Sequence, residues 1–352
     1  MSNEQGKLAM KKERTLKERT LIVLWTTSKC NLQCKYCYAS AAGEQKNMDS
    51  DTAVKILDYF ADQPVKLQLT GGEPLLNYDL VCTIYDYIVQ RGYDVSLQLQ
   101  TNGTLINQEV AIGIKKMKMA VGVSLDGPPA VNESIKGGTQ QTVQGIQHLA
   151  KAGVMLNLNS VVTAQNVEKL PELADFALYL GNVAGIGFDL LRNAGRAKEN
   201  SGAVGRPTGE QLNTALRRLF EKSESIYQQF GRKIMIREVE EAKKRLSSPA
   251  GTQEYCYASC GRSYVFLPNG DCYPCGSLIN NPDFYMGNIG NPPLKPIAIV
   301  KQRAGQCEAC CYHPFCPGGC PSRLIVNADE AEDTLDCVLK KSAFDIASGL
   351  LK

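Results

Sequence analysis

The sequence predicts an α/β protein: a parallel sheet wrapped by helices, followed by a smaller, turn-rich region that holds most of the cysteines. Three observations lead there. Strand-like and helix-like segments alternate six times at about thirty-residue spacing, the rhythm of parallel strands joined by right-handed crossovers. The run Leu21-Ile22-Val23-Leu24-Trp25 is apolar throughout, as a strand covered on both faces must be. The fourteen cysteines are placed unevenly, with three at 30–37, one at 82 and ten between 256 and 337.

Taken in order, residues 1–20 mix Lys, Arg and Glu and read as a charged arm. The strand at 21–25 leads straight into the first cysteines. Val54, Ile56, Leu57 and Phe60 then follow helical spacing behind the possible caps Asp49 and Ser50. Strands are expected at 65–70, 95–100, 121–125, 155–162 and 185–190. Helices are expected at 80–90, 109–118, 142–152, 167–180 and 210–230. Gly92, Gly153 and Gly181 stand just past three of these helices, where only glycine enters the left-handed conformation cheaply. Residues 193–208 read as a loop, 247–252 as a linker with Pro249 and Gly251, and 334–350 as a closing helix. The expected units are therefore the arm (1–20), a barrel or open sheet (21–245) and a cysteine-rich region (246–352). Periodicity alone leaves an open doubly wound sheet and a partial barrel equally allowed; in both, the loops after the strand ends form the site.

Composition bounds the function. A net charge of +3 is too small to argue for nucleic acid as partner. No apolar run is long enough to span a membrane, and the charged N-terminus lacks a signal core. So many cysteines without a signal point to a reducing cytoplasm and to metal, not disulfides.

The segment Cys30-Asn31-Leu32-Gln33-Cys34-Lys35-Tyr36-Cys37 brings three thiols around one point. Three thiolates suit an iron–sulfur cube whose fourth iron stays open to a ligand. A structural zinc site would want a fourth ligand, and the nearest later Cys or His residues are Cys82 and His148; a zinc knuckle or unconnected thiols are the bland alternatives. Gly71-Gly72-Glu73-Pro74 follows the second strand, where two glycines allow close approach of main chain to a ligand.

Together with Tyr36 just before the last cysteine, these motifs resemble the radical S-adenosylmethionine (radical SAM) superfamily. The resemblance implies a partial (β/α)6 barrel of TIM type. It also implies that Cys30, Cys34 and Cys37 ligate a 4Fe–4S cluster, and that Gly71, Gly72, Glu73 and Pro74 bind the methionyl amino group. Tyr36 is expected beside the adenine and Ser124 at the ribose, with Thr70, Asn102, and Asn157 or Asn159, facing the barrel mouth. The implied chemistry is one-electron cleavage of S-adenosylmethionine to a 5′-deoxyadenosyl radical, which takes a hydrogen atom from substrate.

Cys256, Cys260, Cys275, Cys307, Cys310, Cys316, Cys320 and Cys337 are similar in spacing to the SPASM extension of peptide-modifying radical SAM enzymes. That resemblance implies two auxiliary 4Fe–4S clusters, three clusters in all: one on Cys256, Cys260, Cys275 and Cys320, the other on Cys307, Cys310, Cys316 and Cys337. A zinc ribbon over 307–320 is the alternative. Cys82 reads as a buried hydrophobe, while Cys272 and Cys311, next to the ligands the resemblance implies, stay unassigned.

Sulfatase-maturating enzymes share this layout, but they carry an aspartate where this chain has Gly276. They also carry a His-Asp pair and an arginine where it has Asn132-Glu133-Ser134-Ile135-Lys136. The expected function is therefore oxidative maturation of a ribosomally made peptide, as a thioether or carbon–carbon cross-link. Alternatives are a haem precursor or other non-peptide substrate, a sulfatase-maturase-like enzyme, an electron carrier and a zinc module. Expected partners are the peptide or protein substrate, a separate leader-recognition protein, and an electron donor of flavodoxin or ferredoxin type. The peptide docks on the barrel or adds to an edge strand.

Overall fold

The computed structural model describes residues 19–39, 45–248, 254–300, 307–327 and 334–349. Most of the charged arm and of the 247–252 linker lies outside these residues. Ten strands form one sheet, in the order β10-β9-β8-β1-β2-β3-β4-β5-β6-β7. The parallel run is β1 (Thr20–Thr27), β2 (Val65–Gly71), β3 (Val95–Thr101), β4 (Ala120–Ser124), β5 (Leu156–Val162), β6 (Val183–Leu190) and β7 (Met235–Ile236). Among the described residues both outer edges are unpaired, so the barrel is partial.

Helices cross between strands as the alternation predicts: α1 (Ser50–Tyr59), α2 (Tyr78–Arg91), α3 (Gln108–Lys116), α4 (Pro129–Ile135), α5 (Thr139–Lys151), α6 (Glu172–Leu180), α7 (Arg196–Glu199), α8 (Gly209–Phe230) and α9 (Arg237–Leu246). The helix expected over 167–180 is broken: a single 3₁₀ turn, Val167–Lys169, ends before Pro171, which cannot continue a hydrogen-bonded turn. The 193–208 loop contains the short α7.

One face of each strand builds the core. Ile22, Leu24, Leu67, Leu69, Leu97, Leu99, Val121, Val123, Leu156 and Leu158 pack with the helices. The alternate positions of β2, β3 and β5, among them Gln68, Gln98, Gln100, Asn157 and Asn159, are only half-buried or exposed. These polar positions line the concave face.

The C-terminal cysteine-rich region continues this sheet. β8 (Ser263–Phe266) lies parallel beside β1, with Leu21 opposite Ser263 and Leu24 opposite Phe266. It turns through Asn269-Gly270 into antiparallel β9 (Asp271–Tyr273), followed by β10 (Gly287–Asn288). Gly270 has φ 86°, the left-handed value the turn needs. α10 (Pro321–Val326) and α11 (Thr334–Ala347) close the chain, α11 packing on α8 and α9. With β1 flanked on both sides, the outer edges are β7 and β10, two residues each, which leaves little for strand addition by a peptide.

Candidate active site

The cysteine loop leaves the C-terminal end of β1 and is clamped from several directions. Gly72 N–H donates to Thr27 O (2.9 Å) and Glu73 N–H to Lys29 O (2.8 Å), tying it to the end of β2. A Cβ on Gly71 would stand 2.1 Å from Thr27 O, and one on Gly72 2.0 Å from Lys29 O. The two glycines are therefore required by the cysteine loop's own backbone, a tighter constraint than the ligand approach that the sequence suggested.

On its other side, Lys35 N–H donates to Ile135 O (3.0 Å) at the end of α4. Arg196 on α7 reaches Cys34 O through Nε (2.9 Å), its main-chain N–H reaches Cys37 O (3.0 Å), and Asn200 Nδ2 reaches Lys35 O (3.1 Å). Nothing local in the sequence marks Arg196 and Asn200 beyond a polar loop.

The predicted residues divide by what they hold. Asn102 is buried and donates through Nδ2 to Asn31 Oδ1 (2.9 Å), inside the cysteine loop. Glu73 is fully buried. Its carboxylate accepts from Thr101 Oγ1 (2.6 Å), Asn102 N–H (2.8 Å) and Leu75 N–H (3.2 Å). Burial pushes its carboxyl up against the pull of these donors. The Glu73 side chain thus knits β2 to β3. Tyr36 donates its phenol to Asp126, whose other oxygen accepts from Val161 N–H (2.9 Å). Burial is the main cause that raises both groups, with Lys136 opposing at Asp126. Thr70 and Pro74 sit at and just past the end of β2.

Ser124, Gln100 and Asn159 form one polar chain across the concave face. Gln100 Nε2 donates to Ser124 Oγ (3.2 Å), and Asn159 Nδ2 to Gln100 Oε1 (2.8 Å). A Cβ at Gly122 would fall 2.4 Å from Gln100 Oε1, so glycine opens the space this chain occupies. Asn157 stands apart, exposed lower on the same face. Lys136, also missed from sequence, is buried with Nζ on Ser124 O. Asn132 is fully buried, accepting from Asp126 N–H (3.0 Å) and donating to Thr139 Oγ1 (2.8 Å), while Glu133 accepts from Thr139 N–H (2.9 Å). This pair shapes the turn after β4.

Electrostatic contacts sort the cysteines. Cys30, Cys34 and Cys37 act on one another; burial pushes Cys34 up to about 12, against the pull of Lys136. Cys256 feels Cys320 and Cys275, and burial raises it to about 11. Cys337 feels Cys307, Cys316 and Cys310. Cys260 lies beside the second set, its Sγ donating to Tyr257 O (3.3 Å). Cys272 is fully buried on β9 in the apolar core, so it stands apart from its neighbour Cys275; Cys311 is exposed. Among the described residues no group of His, Cys, Asp or Glu is arranged to hold a single metal ion. In a cube each thiolate takes a different iron, so the donor chemistry of these all-thiol groups fits clusters.

A partial parallel barrel whose first two strands end in a three-cysteine loop and a di-glycine clamp has the architecture of an iron–sulfur radical enzyme. Comparison with known proteins gives the family: the radical SAM superfamily model matches residues 26–177, and the chain belongs to that superfamily. An uncharacterized protein of Methanocaldococcus jannaschii is 32% identical over 268 residues, 73% of this chain and 85% of that one. The AdoMet-dependent heme synthase of Nitratidesulfovibrio vulgaris is 28% identical over 86% of this chain and 87% of its own length. The mycofactocin maturase MftC of Mycolicibacterium smegmatis is 27% identical over 88% and 79%. The structure of native anSMEcpe with bound AdoMet superposes with TM-score 0.79 at 21% identity, over 94% of this chain and 97% of that one; the same protein is also known with AdoMet and the Cp18Cys peptide. Superfamily membership implies S-adenosylmethionine and a 4Fe–4S cluster as cofactors. No helix among the described residues is long and apolar enough to cross a membrane.

Proposed function

We propose that this protein is a maturase that cleaves S-adenosylmethionine reductively and removes a hydrogen atom from a ribosomally made peptide, leaving a thioether, a carbon–carbon cross-link or a comparable oxidised product. Cys30, Cys34 and Cys37 would hold the first cluster, and the main chain of Gly71–Pro74 the methionyl end of the cofactor. When bound, these groups supply a 5′-deoxyadenosyl radical. The protein's own part is to fix the cysteine loop against β2, place Ser124, Asn102 and Asn159 around the mouth, and keep water from the reacting carbon. Cys256, Cys260, Cys275 and Cys320 would hold a second cluster and Cys307, Cys310, Cys316 and Cys337 a third, in a cysteine-rich unit spanning 246–352 behind the 21–245 barrel.

The observation that carries the peptide reading is the amide lining of the concave face by Gln68, Gln98, Gln100, Asn157 and Asn159. Amide side chains pair with peptide groups whatever the sequence, whereas a tetrapyrrole precursor calls for apolar walls. The peptide complex known for the similar anSMEcpe fold supports it. A leader-recognition protein and a flavodoxin or ferredoxin donor would be its partners.

A haem precursor is the second reading, favoured by the extent of the heme synthase match. The deciding experiment offers anaerobically reconstituted protein, with S-adenosylmethionine and dithionite, either a short peptide encoded beside its gene or an iron porphyrin precursor. Loss of hydrogen mass from the peptide, matched by 5′-deoxyadenosine, is expected; turnover of the porphyrin alone refutes the proposal.

A further inference from the structure

Around Cys275 and Cys320 the thiols meet polar side chains from separate parts of the chain. Ser322, buried on α10, accepts at Oγ from the Cys275 thiol (3.3 Å) and shares a contact of 3.3 Å with Cys320 Sγ in which either atom can donate. Arg192, just past β6, points Nη2 at Cys320 Sγ (3.9 Å). At the rim, Arg262 Nε donates to Cys260 Sγ (3.2 Å).

Arg192 is held in place from two sides. Its guanidinium pairs with Asp189 and lies over the Tyr38 ring, 5.7 Å from the centroid. Asp189 is shared with Arg323 (2.7 Å), and Arg323 pairs in turn with buried Asp336 (2.7 Å). Asp336 also accepts from Cys320 N–H (3.1 Å). Two arginines and two aspartates balance in charge, so the network acts on the sulfurs through its nearest pole, the Arg192 guanidinium. Burial pushes Asp189 up, but Arg192 and Arg323 pull harder and hold it at about 2, so it stays ionised and keeps Arg192 anchored.

We infer that Ser322 and Arg192, with Arg262 at the rim, raise the reduction potential of the cluster held by Cys256, Cys260, Cys275 and Cys320, making that site the more ready electron acceptor. This rests on the ligand assignment proposed above. Reduction adds negative charge to a thiolate-ligated cluster, and O–H and N–H donors on its sulfurs stabilise the reduced form more than the oxidised one. Once the thiols bind iron and lose their protons, Ser322 has only the donor role, its single proton serving one of the two sulfurs at a time. Ser322 is buried and the Arg192 side chain only 12% exposed, so these two are little screened, while Arg262 at the rim is screened more.

The test is potentiometric titration of the fully reconstituted protein, followed by electron paramagnetic resonance, with iron and sulfide counted in every sample. Ser322→Ala and Arg192→Gln should each keep full iron and lower the midpoint of one cluster, with the reduction equilibrium constant falling about tenfold, ~59 mV for a one-electron couple. Arg192→Lys should recover part of the shift, and Ser134→Ala, on an exposed helix face, should change nothing. Unchanged midpoints at full iron content overturn the inference. Loss of about four irons from Ser322→Ala overturns it too, because the hydroxyl would then be a support and not a tuner. Cys320→Ala separates the two levels: if it retains the parent's iron, the ligand assignment itself is wrong.

Discussion

Gly72→Ala isolates the contact between the two motifs. Gly72 does not need a left-handed backbone, so the substitution brings one methyl group and no dihedral strain. That methyl would sit 2.0 Å from Lys29 O, 2.5 Å from Lys29 C and 2.9 Å from Ser28 O, all main-chain atoms that no rotamer change can move. Ordinary contact begins near 3.4 Å, so the cysteine loop and the end of β2 must part by more than 1 Å. Overpacking of this kind costs about 1–3 kcal/mol. The larger effect is on chemistry, because a shift of ~1 Å at a reacting centre costs about 10²-fold. The assay is dithionite-driven 5′-deoxyadenosine formation by reconstituted enzyme. Gly92→Ala is the matched control: Gly92, at φ 66°, has nothing within 4 Å, so alanine there brings a strain of about 1–2 kcal/mol without touching the site. Gly72→Ala should lose about a hundredfold in rate and Gly92→Ala almost nothing. Rates within threefold of the parent for Gly72→Ala would refute the clamp.

Cys34→Ala should abolish 5′-deoxyadenosine and remove about four irons, leaving the rest of the iron in place by elemental analysis. Tyr36→Phe deprives buried Asp126 of a donor and should cost about 1–3 kcal/mol in thermal or denaturant unfolding, with S-adenosylmethionine affinity little changed. A tenfold weaker affinity at full stability would instead put Tyr36 against the adenine. Arg323→Met removes the counter-charge from Asp336, a pair 3% and 2% exposed, and should destabilise by about 3–5 kcal/mol in holoprotein melts.

Much of this was legible because it is local. Apolar runs gave the parallel strands, and the left-handed glycines gave three helix ends. The cysteine spacings group thiols that in the fold lie within electrostatic reach of one another. What escaped was long-range or directional. No pattern near residue 263 announces that it pairs with Leu21, because strand partners are chosen by tertiary fit. The sequence places Glu73 in the cofactor-binding segment, but that its carboxylate turns inward to Thr101 and Asn102 is a direction that sequence does not carry. Lys136 looked like a mere departure from a relative's arginine until burial set its ammonium against Ser124 O. Arg196 lies in a stretch with no apolar periodicity, so its grip on Cys34 left no trace.

The pairing of β8 with β1 has a consequence for biosynthesis. β1, the first of the described strands to leave the ribosome, gains its second neighbour only when residue 266 has been made. At 5–20 residues per second that delay is roughly 10–50 s, during which an apolar edge stays adhesive. Translation products stopped short of residue 263 should therefore be sticky and chaperone-bound, and the cysteine-rich tail doubles as the stopper that makes the nascent barrel safe.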